Sequence, residues 1–346
     1  MQRRGFVTGG TWCVDRNKLI DFWPPEDSVA EILAVEVRGG GPGCNLAFDI
    51  RKLDPEMPVE TIGLVGDDPD GRFLMEEADR HGVGRRQLRA LAGSFTHYVD
   101  AFSSRRSGRR THIYDQGVSG LLTPEHFDFA GTSGLIFHLG LPGLHRLMDQ
   151  PWQDDVSGWV TVLRMARRAG LLTNLELASI PAERIHALTV PCLPELDYLI
   201  VNDTEIGAIA GMATVAGGVT DVEACAAAAR AVLDQGVRRL VAVHFPQGAI
   251  AVSTGGDVVR CLSVRVPPRA VVAANGAGDA FAAGTLYGLH EGWPIERSLR
   301  LAHAAAAASL RSMSTTDTVE SWQRCLALAE EWGWRRPEPE RGRAVS

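Results

Sequence analysis

Val271-Val272-Ala273-Ala274-Asn275-Gly276-Ala277-Gly278-Asp279-Ala280-Phe281 is the stretch that organises the rest of this 346-residue chain. It reads as the end of a β-rich run, a Gly-Ala-Gly turn and the alanine-rich start of a helix. Glycines at 276 and 278 let the backbone turn sharply and approach a ligand without Cβ interference. The N–H groups exposed there, with the dipole of the following helix, form an anion site. A carboxylate at Asp279, within that first turn, repels a bound phosphate. It has a use if it accepts a proton beside a phosphate in transfer. The alternative is an ordinary acidic residue complementing the helix dipole.

Outward from this turn, β-rich and helical runs alternate. Phe6-Val7 and the segments 61–65, 134–139, 170–175, 196–201 and 239–244 read as buried strands. Helical patterns cover 70–81, 156–169, 203–211 and 221–235 between them. That alternation predicts an α/β fold with a mostly parallel sheet and helices on both faces. From 249 to 266 the pattern changes to an antiparallel meander, and after Gly276 three helices follow, over 276–291, 294–312 and 319–332. The alanine run Ala304–Ala308 offers a small-residue face for close helix packing. Segments 14–38 and 98–116 fit no layer and are expected to form a small projecting sheet over a cleft. Between Arg105 and Arg110 the basic run reads as a solvated hairpin tip, and residues 335–346 as a frayed tail.

Composition removes several function classes. Asp and Glu number 42 against 35 Lys and Arg, a formal net charge of −7, which disfavours nucleic acid as a partner. Lysine occurs only at Lys18 and Lys52, each followed by leucine, so the chain has no Walker A sequence. The six cysteines show no CxxC pair and read as free thiols of a reducing compartment. No stretch reaches the ~18 apolar residues of a membrane span. Met1–Gly5 leads straight into Phe6, with no signal-peptide apolar region, so a cytoplasmic location and no membrane partner are expected.

Two further constellations matter. Gly39-Gly40-Gly41-Pro42-Gly43-Cys44-Asn45 precedes the apolar start of a helix, and Gly63-Leu64-Val65-Gly66-Asp67-Asp68-Pro69-Asp70-Gly71 precedes another. Asn202 and Glu205, three apart at a strand-to-helix junction, read either as a capping box or as a pair of polar groups facing a ligand.

With these motifs in this order, the chain resembles the ribokinase-like (PfkB) carbohydrate kinase family over residues 5–330. The glycine clusters match its N-terminal signature, Asn275–Phe281 its C-terminal Gly-Ala-Gly-Asp signature, and Asn202–Glu205 its Asn-x-x-Glu motif. The resemblance implies a three-layer αβα sandwich with a small β-sheet lid, as one kinase domain over 1–334. It implies an ATP- and Mg²⁺-dependent kinase acting on a hydroxymethyl group of a small sugar or sugar derivative. Asp279 is then the base, and Gly276, Ala277 and Gly278 the anion hole. Asp15, Gly40, Gly41, Asn45 and Asn174 fall at acceptor-binding positions, and Asn202, Glu205, Gly248, Asn275 and His303 at nucleotide-binding ones. Asn202 and Glu205 would organise Mg²⁺ through its waters. The lid also implies a homodimer interface.

The departures are specific. Ala273 and Ala274 stand where the family has Asp-Thr, so a monovalent cation site is expected to be empty or weakly filled. Packing of Val271, Val272 and Phe281 is then expected to hold the anion hole in shape. Leu172-Thr173-Asn174-Leu175-Glu176 keeps only the asparagine of an Asp-x-Asn-x-Arg pattern, and the nucleotide-side Thr-x-Gly is absent around 244–248. A nucleoside kinase and a non-catalytic sugar or nucleotide sensor are the competing readings. A nicotinamide oxidoreductase is disfavoured, since no GxGxxG follows the first strand.

Overall fold

The β-rich runs pair into one nine-stranded sheet. Its order is Val258–Leu262, Gly248–Ser253, Leu240–Phe245, Tyr198–Asn202, Leu172–Leu175, Ile136–Gly140, Phe6–Gly10, Val59–Gly66 and Gly84–Leu91. The seven strands from Leu240–Phe245 to Gly84–Leu91 are parallel, and the two at the other edge are antiparallel. The computed structural model describes residues 3–336, so the expected tail beyond 336 lies outside the described residues.

Alternation along each strand splits the core in two. Phe6 and Ile136 fall in one apolar cluster, with helices Pro42–Leu53, Ala277–His290 and Ile295–Ser309. Their neighbours Val7 and Phe137 fall in the other, with helices Gly158–Arg168 and Val222–Asp234. These are the outer layers of the αβα sandwich. Two elements escape the apolar pattern. The edge strand Gly84–Leu91 carries Arg85, Arg86 and Arg89, a charged edge that resists pairing with another chain. The short helix Ala182–Thr189 buries only Ile185 and Thr189.

A separate four-stranded sheet, in the order Ile32–Gly40, Cys13–Ile20, Tyr98–Ser104 and Arg110–Asp115, grows directly out of the first central strand. Register places Asp15 opposite Val99 and Val99 opposite Tyr114, and Asn17 opposite Ala101 and Ala101 opposite His112. These alternate positions share one face, and all six line a cavity against the central sheet. The opposite face carries Arg16, paired with Asp70 at 2.6 Å, and Lys18, paired with Asp100 at 2.6 Å.

One local expectation is overturned. No strand leads into the Gly-Ala-Gly turn. Pro267 and Pro268 cannot extend a ladder, a 3₁₀ turn forms over Pro268–Ala270, and the Val272 N–H donates to Leu310 O at 2.8 Å. Val271 and Val272 are 46% and 58% exposed, so they do not pack against the sheet to support the turn. Phe281 is buried and does.

The alanine-rich expectation has a concrete basis. Helices Ala277–His290 and Ile295–Ser309 approach so closely that a Cβ on Gly284 would lie 2.6 Å from Ala302 Cα. Among the described residues, no helix is long and apolar enough to cross a membrane. Helix propensity alone predicts that Gly284→Ala stabilises by about 1 kcal/mol. The backbone contact predicts the reverse, a net loss of about 1–3 kcal/mol from overpacking. Thermal unfolding decides by its sign: a raised Tm would show that the two helices separate without cost.

Candidate active site

Gly276 begins helix Ala277–His290 with φ 70°, and a Cβ there would lie 2.3 Å from Thr315 O. Only glycine fits on both counts. No side chain caps the helix, so the first-turn N–H groups remain open for an anion. The 310–318 loop backing this turn is held by side chains. Arg311 Nε donates to Ala308 O at 3.1 Å, and its Nη2 to Thr318 O at 2.6 Å and Glu320 Oε2 at 2.9 Å. Lys52 Nζ donates to Thr316 O at 2.7 Å, and Asn275 Nδ2 to Met313 O at 3.2 Å. These groups do the supporting work expected of Val271 and Val272.

The turn separates two cavities. On one side, about 420 Å³ lies between the small sheet and the carboxyl ends of the central strands, lined by Asp15, Asn45, Arg110, Glu176, Gly276 and Asp279 among others. Asn45 stands beside Asp279 and favours its ionised form, and Thr315 Oγ1 donates to Asn45 Oδ1 at 3.0 Å, which fixes the amide. Burial pushes the Asp279 carboxyl well above the ordinary range, and the adjacent Glu176 adds to the rise. Asp15 is pushed up to about 7 by burial, with Cys13 and Arg110 opposing. Glu176 is likewise pushed up to about 7 by burial. Carboxyl groups this close cannot all ionise.

On the other side, about 450 Å³ is lined by Asn202, His244, Ala277, Gly278, Phe281 and His303 among others. His303 and His244 flank the Phe281 ring at 5.0 and 4.8 Å, and burial lowers His303 to about 3, so it is a neutral apolar wall. A Cβ on Gly278 would meet nothing closer than His244 at 3.7 Å, which leaves its backbone accessible. Apolar walls with open N–H groups at one end suit a base and its phosphates. Arg335, in the segment expected to fray, donates its N–H to Ser263 O at 2.9 Å and lines this cavity.

The remaining sequence-selected residues separate. Asn202 and Glu205 form the reciprocal capping box: the Glu205 N–H donates to Asn202 Oδ1 at 2.8 Å and the Asn202 N–H to Glu205 Oε2 at 2.9 Å. Burial raises Glu205 to about 7. Its second oxygen stays available, and hard oxygen donors fit Mg²⁺ held through water. Among the described residues no cluster of three or more His, Cys, Asp or Glu is placed to hold a metal. Gly41 lines the acceptor-side cavity with φ 85°. Gly40 lies behind Asp15, where a Cβ would meet its Oδ2 at 2.2 Å. Asn275 lines the first cavity and donates to Asn17 Oδ1 at 3.2 Å. Asn174 is buried behind His138, and Gly248 sits in the edge hairpin against Cys261; neither lines a cavity described above.

Sequence reasoning missed Arg110 and His112, which line the first cavity from the small sheet, and His97, which lines it from the residue before the strand Tyr98–Ser104. The signal was present in the strict alternation of Arg110, His112 and Tyr114, but not the register that turns that face inward. Glu176 was noted only for not being arginine.

The sequence pattern described as "pfkB family carbohydrate kinase" matches residues 12–322. The chain belongs to that family. This carbohydrate kinase is 27% identical to an uncharacterised sugar kinase of Escherichia coli K12, over 93% of the chain and 82% of the relative. It is 27% identical to the 5-dehydro-2-deoxygluconokinase of Geobacillus thermodenitrificans, over 91% and 89%. The Arabidopsis thaliana ribokinase solved with ribose and ATP superposes with TM-score 0.75 over 95% of this chain and 99% of that one, at 22% identity, which establishes the ribokinase fold.

Gln keeps the capping box at position 205 but lacks the carboxylate charge. Glu205→Gln in this kinase therefore leaves thermal stability within about 0.5 kcal/mol and raises the Mg²⁺ concentration for half-maximal rate. An unchanged Mg²⁺ dependence would return the residue to a purely structural role.

Proposed function

We propose that this kinase transfers the γ-phosphoryl group of ATP to a hydroxymethyl group of a small sugar or sugar derivative. The observation that supports it is the Gly276–Gly278 turn standing as the common wall of two cavities, with Asp279 on the acceptor side. The acceptor binds to Asp15, Asn45 and the backbone at Gly41. Asp279 takes the hydroxyl proton as the oxygen attacks phosphorus, and the open N–H groups at 276–278 hold the transferred group's charge. The nucleotide occupies the second cavity, with His303 in its wall and Gly248 at the nearby sheet edge, while Asn275 stands on the other side of the turn, in the first cavity. Asn202 and Glu205 would hold Mg²⁺ through its waters, and the ion would neutralise charge at the phosphates.

One domain over 1–334 carries both sites, and the small sheet is its lid, closing over the acceptor and excluding water as a competing acceptor. The outward face of that lid exposes Val35, Val37 and Ile113, an apolar patch that a second copy would cover in a homodimer. Sedimentation equilibrium tests this, and a mass of one chain at micromolar concentration refutes it. A nucleoside acceptor is the second reading, favoured by His97, His112 and Tyr114, ring faces that line the same cavity.

A phosphotransfer panel of sugars, polyols and nucleosides with ATP and Mg²⁺ tests the assignment. The expected result is turnover with a sugar-like acceptor, lost by about 10²–10⁴-fold or more in Asp279→Asn with ATP affinity retained. A variant keeping more than about a tenth of wild-type kcat, a penalty of only ~1.4 kcal/mol, would remove Asp279 from the role. Ala273 supplies no carboxylate, and Arg311 already engages the loop carbonyls. Rates in potassium and tetramethylammonium buffers of equal ionic strength are therefore expected to agree within ~2-fold. Tenfold stimulation by potassium, worth ~1.4 kcal/mol, overturns that expectation.

A further inference from the structure

Glu176 has no part in the reaction as described so far. It follows the strand Leu172–Leu175, lines the acceptor cavity and shares a hydrogen bond with Asp279. Two carboxyl groups in hydrogen-bond contact need a proton between them. Behind Glu176 stands a buried support. His138 Nε2 lies 2.9 Å from Glu176 Oε2, and Asn174 Nδ2 lies 2.9 Å from His138 Nδ1. An amide nitrogen only donates, so His138 Nδ1 accepts and the ring proton sits on Nε2, the nitrogen on the Glu176 side. The ring is fully buried and its pKa is lowered to about 4, so it stays neutral and adds no charge. His138 Nε2 and Glu176 Oε2 are close but not aligned for a hydrogen bond, so His138 backs the Glu176 carboxyl as a buried neutral wall on the side away from solvent.

We propose that Glu176 is the positioning residue of the base: with Asp279 it forms one carboxyl pair that holds a single proton, set in place by His138 and Asn174. The proposal rests on reading Asp279 as the base. It resolves a difficulty of that reading, since two ionised carboxylates beside the incoming phosphates would repel them, whereas the pair presents one charge and still accepts a proton. In the transfer the acceptor O–H bond breaks and its oxygen bonds the γ-phosphorus. The bond from that phosphorus to the β–γ bridging oxygen breaks, and ADP leaves with the electron pair. The hydroxyl proton goes to the carboxyl pair, which becomes neutral with two protons and returns one to water when the site opens.

Other charged and titratable groups face the pair. They are Asp15, Cys13 and Arg110 from the small sheet, Asp49 and Cys44 from helix Pro42–Leu53, Glu205 from helix Asp203–Ala210, and His138 from its strand. Asp15 contacts the acceptor, so its ionisation is read in KM. The pair is read in kcat at saturating acceptor.

Glu176→Gln mimics the protonated carboxyl at every pH, because its amide donates the same hydrogen bond and has no proton to lose. With any acceptor that supports turnover, kcat of the wild type is expected to fall as pH rises through loss of the shared proton. Glu176→Gln is expected to stay within ~3-fold of wild type at pH 6 and to lack that fall, whereas Glu176→Leu loses ~10-fold or more at both ends of the range. Infrared difference spectra of the protein without substrates supply a second readout. A protonated-carboxyl band near neutral pH is expected in the wild type, and either Glu176→Gln or Asp279→Asn is expected to remove one component of it, leaving that of the other buried carboxyls Asp15, Asp49 and Glu205. An alkaline fall that persists in Glu176→Gln, or a band left undiminished by both Glu176→Gln and Asp279→Asn, overturns the pairing. If Asp279→Asn keeps its turnover, the base assignment itself fails and the pairing with it; if it loses turnover while Glu176→Gln leaves the profile unmoved, only the pairing fails.

Discussion

The contact between Gly276 and the backbone of Thr315 is the constraint on which both halves of the site depend. It allows no Cβ, and it presses the start of a helix against a loop whose own position is fixed by Arg311, Lys52 and Asn275. Because no side chain caps that helix, its first N–H groups keep an unmet demand for negative charge. Negative charge is favoured at this point. The cavity proposed for the acceptor opens on one side of the turn and the one proposed for the nucleotide on the other.

The acceptor side has the opposite electrostatic character. Asp15, Glu176 and Asp279 crowd a space whose lining includes one guanidinium, that of Arg110. Burial favours the neutral form of each carboxyl, and their proximity adds to it. The cavity therefore stores protons at a pH where exposed carboxylates have lost theirs. Such a surface hydrogen-bonds neutral hydroxyl groups as donor and acceptor alike, which suits a polyol.

Much of this was legible in the sequence because it is local. The Gly-Ala-Gly turn, the Asn202–Glu205 box and the apolar strands each depend on neighbours within a few residues. The parallel order followed from the alternation of strand and helix. What stayed hidden depends on distant contacts. Val271 and Val272 looked like the end of a strand, yet Pro267 and Pro268 and the hydrogen bond from Val272 to Leu310 take them out of the sheet. Arg110 belonged to a basic run whose neighbours, Arg105 and Arg106, do turn to solvent and face Asp21. Glu176 stood out by violating a pattern, and its partners His138 and Asp279 come from a separate strand and a helix a hundred residues away. Asn202 shows that two readings of one motif need not compete, since the capping box leaves a Glu205 oxygen to spare.

The small sheet has one further consequence. Its inward and outward faces are interleaved along the same strands, Asp15 and Asn17 facing in and Arg16 and Lys18 facing out. Slippage by one residue would exchange the two faces and bury two cations where the acceptor belongs. Point substitution at every second position carries no such penalty. Single side chains at 13, 15, 110 and 112 can therefore be exchanged to reshape the cavity while the register holds, whereas an insertion or deletion within a strand cannot. The Gly276–Gly278 turn lies on another part of the fold and is untouched by such substitutions.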